Sequence, residues 1–364
     1  MEKIPSLPFA GLLFLITVLA GLRLGSKPRG SKPSAAWAAA LWLFSLGDWA
    51  LLRQLPRAGK SFGPAKPTAL ILAALRAAFG LLPVRLSLPL QMIGSLLVIK
   101  GFWDEPHQIT VTRQHLRSKK LKPGRPVRVL HLGDLHIERV TQRERQLNRL
   151  IKELAPDVIL FSGDVLNLSF VEDPEAIQAA RAVMGEWRAP GGVYAVTGSP
   201  AVDLAHVFPK LIEGLGITWL RDERKTVQIN GQSIDIIGLT CTHKPFEDGP
   251  KLEALMGTAL ANYPKDNSPF TILLYHTPDL APNAANTRAV DLQLSGHTHG
   301  GQVRLPFIGA LYAASLYGKR FEAGRYTLGD MTLYVTRGIG LEGKAAPRVR
   351  FLCPPEIILW EIDG

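Results

Sequence analysis

Four short stretches carry the side chains best suited to chemistry: Gly133-Asp134-Leu135-His136, Gly163-Asp164, Tyr275-His276 and Gly296-His297-Thr298-His299. Each comes after an apolar run, and most lie beside glycine. Carboxylates and imidazoles brought to one point would repel one another or stay unpaired, so a bound cation is the simplest arrangement that satisfies them. Mixed Asp/His donors suit Zn²⁺, Mn²⁺ or Fe, whereas Ca²⁺ and Mg²⁺ prefer shells of oxygen. There is material here for two ions, and two ions about 3.5–4 Å apart clamp the attacking and leaving oxygens of a phosphoryl displacement. Glycine in such turns permits positive φ and lets a ligand approach the backbone.

Convergence of this kind needs a scaffold that ends several strands at one edge. Residues 127–132 (VRVLHL) and 157–163 (DVILFSG) read as buried strands, with an amphipathic helix over 143–154 between them. That is a β-α-β unit. A second round comes next, with a helix near 174–187, a strand over 192–198 and a helix near 204–215. Residues 226–239 read as a hairpin turning at Asn230-Gly231. Residues 270–276 and 290–297 are again strands ending in polar residues, and 332–362 supplies further β segments. The fold class is α/β with much β. Open α/β sheets bind ligands at the carboxyl ends of their strands, which is where Asp134, His136, Asp164, His276, His297 and His299 fall.

The front of the chain has another character. Of the 364 residues, 1–128 hold 19 Lys/Arg against 4 Asp/Glu, and 129–364 hold 23 against 27. The positive charge flanks apolar runs rather than covering the folded domain, which favours membrane anchoring over nucleic-acid binding. Ile4–Leu22 carries no charge, and Ala35–Leu52 only Asp48. Each approaches the roughly 20 residues that a bilayer helix needs. The runs 68–84, broken by Arg76, and 86–99 are shorter, so three or four spans are expected. Asp48 and Arg76 either pair within the membrane or, the preferred reading, act separately, Asp48 near a helix end and Arg76 reaching for the interface. The dense basic stretch Arg113, Arg117, Lys119, Lys120, Lys122, Arg125 and Arg128 places the remainder of the chain on the cytoplasmic side. Cys241 and Cys353 are too few for a disulfide framework.

In order and spacing, GDLH (133–136), GD (163–164), TG (197–198), YH (275–276) and GHTH (296–299) resemble the calcineurin-like metallophosphoesterases over nearly all of 127–362. The tail motifs GHTHGGQVRLP, GKRFEAGRY, RGIG and CPPEI resemble the membrane-anchored bacterial branch. The resemblance implies an α/β fold in which two mixed sheets form a β-sandwich flanked by helices. The expected division is a transmembrane helical region over 1–105, a basic linker over 106–126 and the phosphoesterase domain over 127–364. It also implies two divalent ions, Mn, Fe or Zn. Asp134, His136, Asp164 and His299 would hold one, and Asp164 as a bridge, His276 and His297 the other, with Asp134, Asp164 and His297 central to catalysis. The basic anchor, the apolar spans and the expected cytoplasmic domain suggest an amphiphilic phosphate-containing lipid substrate at the bacterial inner membrane, and resemblance to membrane-associated members of the superfamily makes hydrolysis of UDP-2,3-diacylglucosamine in lipid A synthesis the leading expectation. A general lipid-phosphate hydrolase or phosphodiesterase is the other enzymatic reading.

One block departs from the family. Where its members usually carry Gly-Asn-His-Asp/Glu, this chain has Gly198-Ser199-Pro200. Ser199 replaces an asparagine carbonyl that binds the second ion, and its shorter hydroxyl implies weak or water-mediated binding there. Pro200 replaces a histidine that assists the leaving group, and it has no proton to give. Three readings are open: an enzyme for good leaving groups such as a pyrophosphate, with Asp203 or His206 compensating; activity through one tight ion; or a membrane-bound pseudo-enzyme that binds lipid or protein. Asn167 and Glu138 either orient the ligands or lie at the surface. His131, inside a strand, is expected to pack, and Arg304, Arg348 and Arg350 to form a solvated rim or meet phosphate.

Overall fold

The computed structural model describes residues 4–24, 35–260, 268–344 and 346–364. It contains two compact units, Met1–Pro106 with Glu342–Phe351, and His107–Leu341 with Leu352–Gly364.

The first unit is built on four helices, α1 (Ser6–Leu24), α2 (Ala35–Gln54), α3 (Ala65–Gly80) and α4 (Val84–Val98), the last running on as a π-turn over Ile99–Asp104. Ala35–Gln54 and Val84–His107 are long and apolar enough to cross a membrane by length and composition, and Ser6–Leu22 is a shorter apolar helix. Phe9, Leu13, Leu52, Ala69 and Ala73 pack inward, whereas Leu15, Leu43, Leu75, Met92 and Leu96 are exposed. Asp48 and Arg76 are both buried and meet through two hydrogen bonds, Arg76 Nε to Oδ2 at 2.5 Å and Nη2 to Oδ1 at 2.6 Å. Arg76 also donates to the Gln91 carbonyl oxygen at 3.0 Å and to Ser95 Oγ at 3.0 Å. This corrects the preferred reading that the two charges act separately. A buried charge without a partner costs several kcal/mol, and pairing across α2, α3 and α4 removes that cost.

The second unit carries β1 (Thr110–Arg117), β2 (Val127–Leu132), α5 (Gln142–Leu154), β3 (Val158–Phe161), α6 (Pro174–Met184), β4 (Val193–Ala195), α7 (Phe208–Ile212) and β5 (Ile217–Trp219). Next come β6 (Glu223–Ile229), β7 (Gln232–Gly238), α8 (Pro245–Leu260), β8 (Phe270–Leu274), α9 (Ala281–Thr287) and β9 (Leu292–Ser295). A small hairpin, β10 (Arg304–Leu305) with β11 (Gly309–Ala310), precedes β12 (Gly324–Leu328), β13 (Met331–Val335) and β14 (Glu356–Asp363). Two mixed six-stranded sheets result, in the orders β1-β14-β2-β3-β4-β5 and β12-β13-β9-β8-β7-β6. Within the first sheet β2, β3 and β4 are adjacent and parallel, and within the second β7, β8 and β9 are.

Between the sheets lie Val129, Leu160, Val196, Ile236, Leu274, Leu294 and Trp360. The alternate residues of the first sheet, among them Leu130 and Phe161, pack with Leu147 of α5 and Val183 of α6. On the second sheet Leu273 and Leu333 pack with Leu252 of α8 and Ala284 of α9. Both faces of the central strands are therefore covered, which is why they read as continuous apolar runs. Helix α5 starts with a capping box, in which Thr141 Oγ1 accepts from Arg143 N and Glu144 reaches back to Thr141 N at 2.8 Å.

Two expectations change, and one helix was not foreseen. The basic segment 106–126 is not linker throughout, because β1 lies within it and pairs in parallel with β14. Its Arg113, His115 and Arg117 alternate outward, the pattern of an edge strand protected by charge. The helix expected near 204–215 shrinks to α7, opened by Pro209 and succeeded at once by Gly214-Leu215-Gly216, which does not sustain a helix. Helix α8 carries Pro250 in its interior, which hid it from a reading by periodicity.

Candidate metal centre

Both triplets of parallel strands deliver polar residues just past their carboxyl ends. From the first sheet, Asp134 and His136 come after β2, Asp164 after β3 and Ser199 after β4. From the second, His243 comes after β7, His276 after β8, and His297 and His299 after β9. The structure gathers all six predicted Asp/His side chains. The donor atoms of Asp134, His136 and His299 lie within 4.8 Å of one another, as do those of Asp134, Asp164 and His276, and those of His243, His276 and His297. His136 Nε2 stands 2.9 Å from His299 Nε2 and 3.6 Å from Asp164 Oδ2, and His276 Nε2 is 3.4 Å from the same Asp164 oxygen.

The backbone adopts an unusual conformation to place these groups. Asp134, His136, Asp164, His297 and His299 all have positive φ, between 43° and 72°. Such left-handed non-glycine residues cost of order 1–3 kcal/mol each and persist only where the surroundings fix them. Here the turns are tied to one another. Asp134 N donates to the Gly163 carbonyl at 2.9 Å, Leu135 N to that of Asp164 at 2.8 Å, and Gly340 N to that of Asp134 at 2.6 Å. The glycines of the GHTHGG run have separate reasons. A Cβ on Gly296 would press into the Asp134 carboxylate, and Gly300, at φ +60°, has Cys353 Sγ where a Cβ would need room.

His276 is aimed by its far side, with Nδ1 2.9 Å from the Ser162 carbonyl, which turns Nε2 toward the centre. Burial, opposed in part by His276, pushes the Asp134 carboxyl up to about 6. Around Asp164, burial is outweighed by His276, His136 and His297, which hold that carboxyl well below its usual range. The Asp164 charge in turn overcomes burial and pushes the His276 imidazole well above its usual range, while burial and the charge on His276 push His297 down to about 3. These opposed shifts mark a centre whose carboxylates call for positive charge. A divalent cation would supply it, and Asp134 Oδ2 is buried without a hydrogen-bond partner. Carboxylates with imidazoles make a donor set suited to a divalent transition ion.

The remaining predicted residues separate clearly. Ser199 is buried against the centre, with Oγ 3.2 Å from both Asp164 Oδ2 and His276 Nε2, and its N–H donates to Asp164 Oδ1 at 2.6 Å. Pro200 is exposed. Asp203 faces backbone: its carboxylate accepts from Asp164 N at 2.8 Å, Val165 N at 2.9 Å and Gly198 N at 2.7 Å, and so staples the β3 and β4 turns together. Burial and the Asp164 charge push it up to about 6. Asn167, fully buried, donates to the Leu341 carbonyl at 2.8 Å. His206, expected near the substrate, is instead exposed and paired with Glu172 at 3.0 Å, because the segment bearing it turns before α7 rather than forming part of a helix. Glu138 is buried rather than at the surface, and His131 packs as expected, fully buried with Nε2 3.1 Å from Ser162 Oγ. Arg304 is held by Glu322 at 2.7 Å, and Arg348 and Arg350, expected at a rim, are buried in the first unit.

His243 was not singled out from the sequence. The available signal was topological: it lies in the loop after a strand parallel and adjacent to the one that delivers His276.

Residues 127–301 match the calcineurin-like phosphoesterase family. An uncharacterized metallophosphoesterase of Bacillus subtilis (strain 168), YkuE, is 30% identical over 270 residues, which is 71% of this chain and 87% of that protein. Phosphodiesterase YaeI of Escherichia coli (strain K12) is 26% identical over 247 residues, 65% of this chain and 82% of that one. A transmembrane protein with metallophosphoesterase domain from Bos taurus is 26% identical over 271 residues, 69% of this chain and 57% of its own. With these matches joined to the clustered Asp and His side chains, the chain belongs to the calcineurin-like phosphoesterases, a family of metal-dependent hydrolases.

Proposed function

We propose that the chain is a membrane-anchored phosphodiester or pyrophosphate hydrolase whose substrate is an amphiphile of the inner leaflet. The observation that carries this reading is the meeting of Asp134, His136, Asp164, His276, His297 and His299 in overlapping donor groups no more than 4.8 Å across. Asp134, His136, Asp164 and His299 would hold one divalent ion, Mn, Fe or Zn, and Asp164, His276 and His297 would hold a second, with Ser199 a weak or water-mediated neighbour. When bound, such ions polarise the phosphoryl oxygens and acidify water. The protein's part is positional. Ser162 aims His276, Ser199 N–H holds one Asp164 oxygen, and Asp203 fixes the turn that presents Asp164.

Pro200 narrows the chemistry. With no proton donor at that position, the reaction favours a leaving group that departs as a stable anion. A pyrophosphate-linked lipid such as UDP-2,3-diacylglucosamine has such a group, and a diester with an activated alcohol does too. The name of the Escherichia coli relative, a phosphodiesterase, is consistent with the broader diester reading. Anchoring at the bacterial inner membrane is supported by two helices of spanning length and by exposed apolar side chains along the first unit. The basic stretch Arg113–Arg128 favours a multi-pass topology with the hydrolase in the cytoplasm.

The test is hydrolysis by detergent-purified protein with Mn²⁺, on UDP-2,3-diacylglucosamine in mixed micelles and on bis(p-nitrophenyl) phosphate, native chain against His297→Ala. Turnover that disappears in the variant supports the hydrolase, and the faster substrate decides between lipid pyrophosphate and general diester. A native chain carrying metal but cleaving neither substrate overturns it.

A further inference from the structure

We infer that His243 is a ligand of the second metal position, occupying the role that the family gives to the asparagine replaced here by Ser199. The inference rests on the metal centre proposed above but not on its substrate. Four independent features lead to it.

The first is topology. The first sheet brings site residues from the carboxyl ends of β2, β3 and β4, the second from those of β8 and β9, and the loop after β7, the parallel neighbour of β8, leaves the sheet at that same edge. His243 is the imidazole in that loop. The second is position: its donor nitrogen shares a group no more than 4.8 Å across with those of His276 and His297. The three rings do not stack. His243 lies edge-on to His297, at 85° with centroids 4.8 Å apart, and His276 is inclined at 67° to His297. The third is an unmet need. His243 Nε2 is buried without a hydrogen-bond partner, and such a nitrogen is costly unless something binds it.

The fourth is backbone. His243 has φ +62°, within the range of Asp134, His136, Asp164, His297 and His299. An imidazole in this conformation must be held there by its loop, and it is. The buried Asp248 carboxylate accepts from Thr242 N at 2.9 Å, from Thr242 Oγ1 at 3.0 Å and from Tyr275 Oη at 2.7 Å. One carboxylate therefore joins the residue before His243 to the residue before His276. That connection fixes the two imidazoles relative to each other, as a shared ion requires. The serine hydroxyl, neutral and short, lies 3.2 Å from Asp164 Oδ2 and from His276 Nε2. An imidazole is the stronger donor of the two for Mn, Fe or Zn.

The experiment counts metal. Full-length protein in detergent is loaded with Mn²⁺, dialysed and analysed by elemental analysis, and second-site affinity is measured by titration calorimetry. The variants are His243→Gly, which removes the ligand while relaxing the left-handed backbone, and His243→Gly with Ser199→Asn. Native protein is expected to hold about two ions and His243→Gly about one. Even outer-shell partners cost about 10–100-fold in metal affinity, so loss of a direct ligand should weaken the second site by at least about 100-fold. Adding Ser199→Asn should restore the second ion, which also shows that the single variant was folded. Native-like occupancy and affinity in His243→Gly, or an equal single ion in both proteins, overturns the assignment. Two ions without hydrolysis would refute the proposed reaction and leave this inference intact.

Discussion

Asp203 gives the sharpest test of how the centre is held. Its buried carboxylate accepts three backbone N–H groups, from Asp164, Val165 and Gly198. Asp203→Ala leaves those three donors unpaired in a region closed to water. Each unsatisfied buried donor costs about 1–3 kcal/mol, so even at the low end the loss is about 3 kcal/mol. For a unit of this size about 1 kcal/mol moves the midpoint by roughly 2–4 °C, and the shift should be about 6–12 °C downward. Asp203→Asn should lose less: an amide oxygen at the Oδ2 position keeps the bonds to Asp164 and Gly198, while its NH₂ faces the Val165 donor. Thermal unfolding of both variants in the same detergent, with chelator throughout, gives the magnitudes. Hydrogen exchange at the 164–165 and 198 amides locates the effect. A midpoint within about 2 °C of native, with unchanged protection of those amides, would refute the view that Asp203 supports the turns; direct contact with substrate would then be the better account.

Two further substitutions probe the rest of the molecule. Asp48→Ala strands the buried Arg76 charge, a loss of about 3–5 kcal/mol, whereas replacing both with leucine should be milder; purified yield and thermal midpoint compare them, and equal damage in both would deny that the pair matters as a pair. Gly296→Ala places a Cβ against the Asp134 carboxylate, with Cγ only 3.0 Å away, and should lower metal content as well as turnover; a variant with native metal content would show that the turn has slack.

The donor set was legible in the sequence because it depends on local order: an apolar strand, a glycine, then Asp or His. Two apolar faces per strand announced a sheet covered on both sides, and Asn230-Gly231 marked the hairpin, where the turn residues have φ +52° and +73°. What stayed hidden depends on contacts distant in sequence. The Asp48–Arg76 pair joins residues 28 apart on different helices, and nothing in either helix alone announces its partner. Asp203 looks like a catalytic acid in a one-dimensional reading, and only its three backbone donors identify it as a brace. His243 comes five residues after its strand rather than one or two, with no glycine beside it, so its membership of the cluster emerges only from the pairing of β7 with β8. β1 was masked by its charges, since an edge strand protected by Arg resembles a solvated linker.

The distribution of donors between the sheets bears on what Ser199-Pro200 changes. Both carboxylates, Asp134 and Asp164, come from the first sheet, and three of the four predicted histidines, His276, His297 and His299, from the second. The resemblance puts a neutral asparagine where Ser199 stands, so on that reading the exchange leaves the charge of the centre as it was. On the proposed reading, the electrostatic basis for holding two cations next to phosphate therefore survives. Pro200 is different in kind, because no rearrangement of neutral ligands replaces a proton source, and the two residues expected to compensate are occupied elsewhere: Asp203 with three amides and His206 with Glu172. On the proposed reading the donors for phosphate binding remain while a proton source for the departing group does not, so substrates should be ranked by leaving-group acidity more steeply than in a relative with the histidine in place.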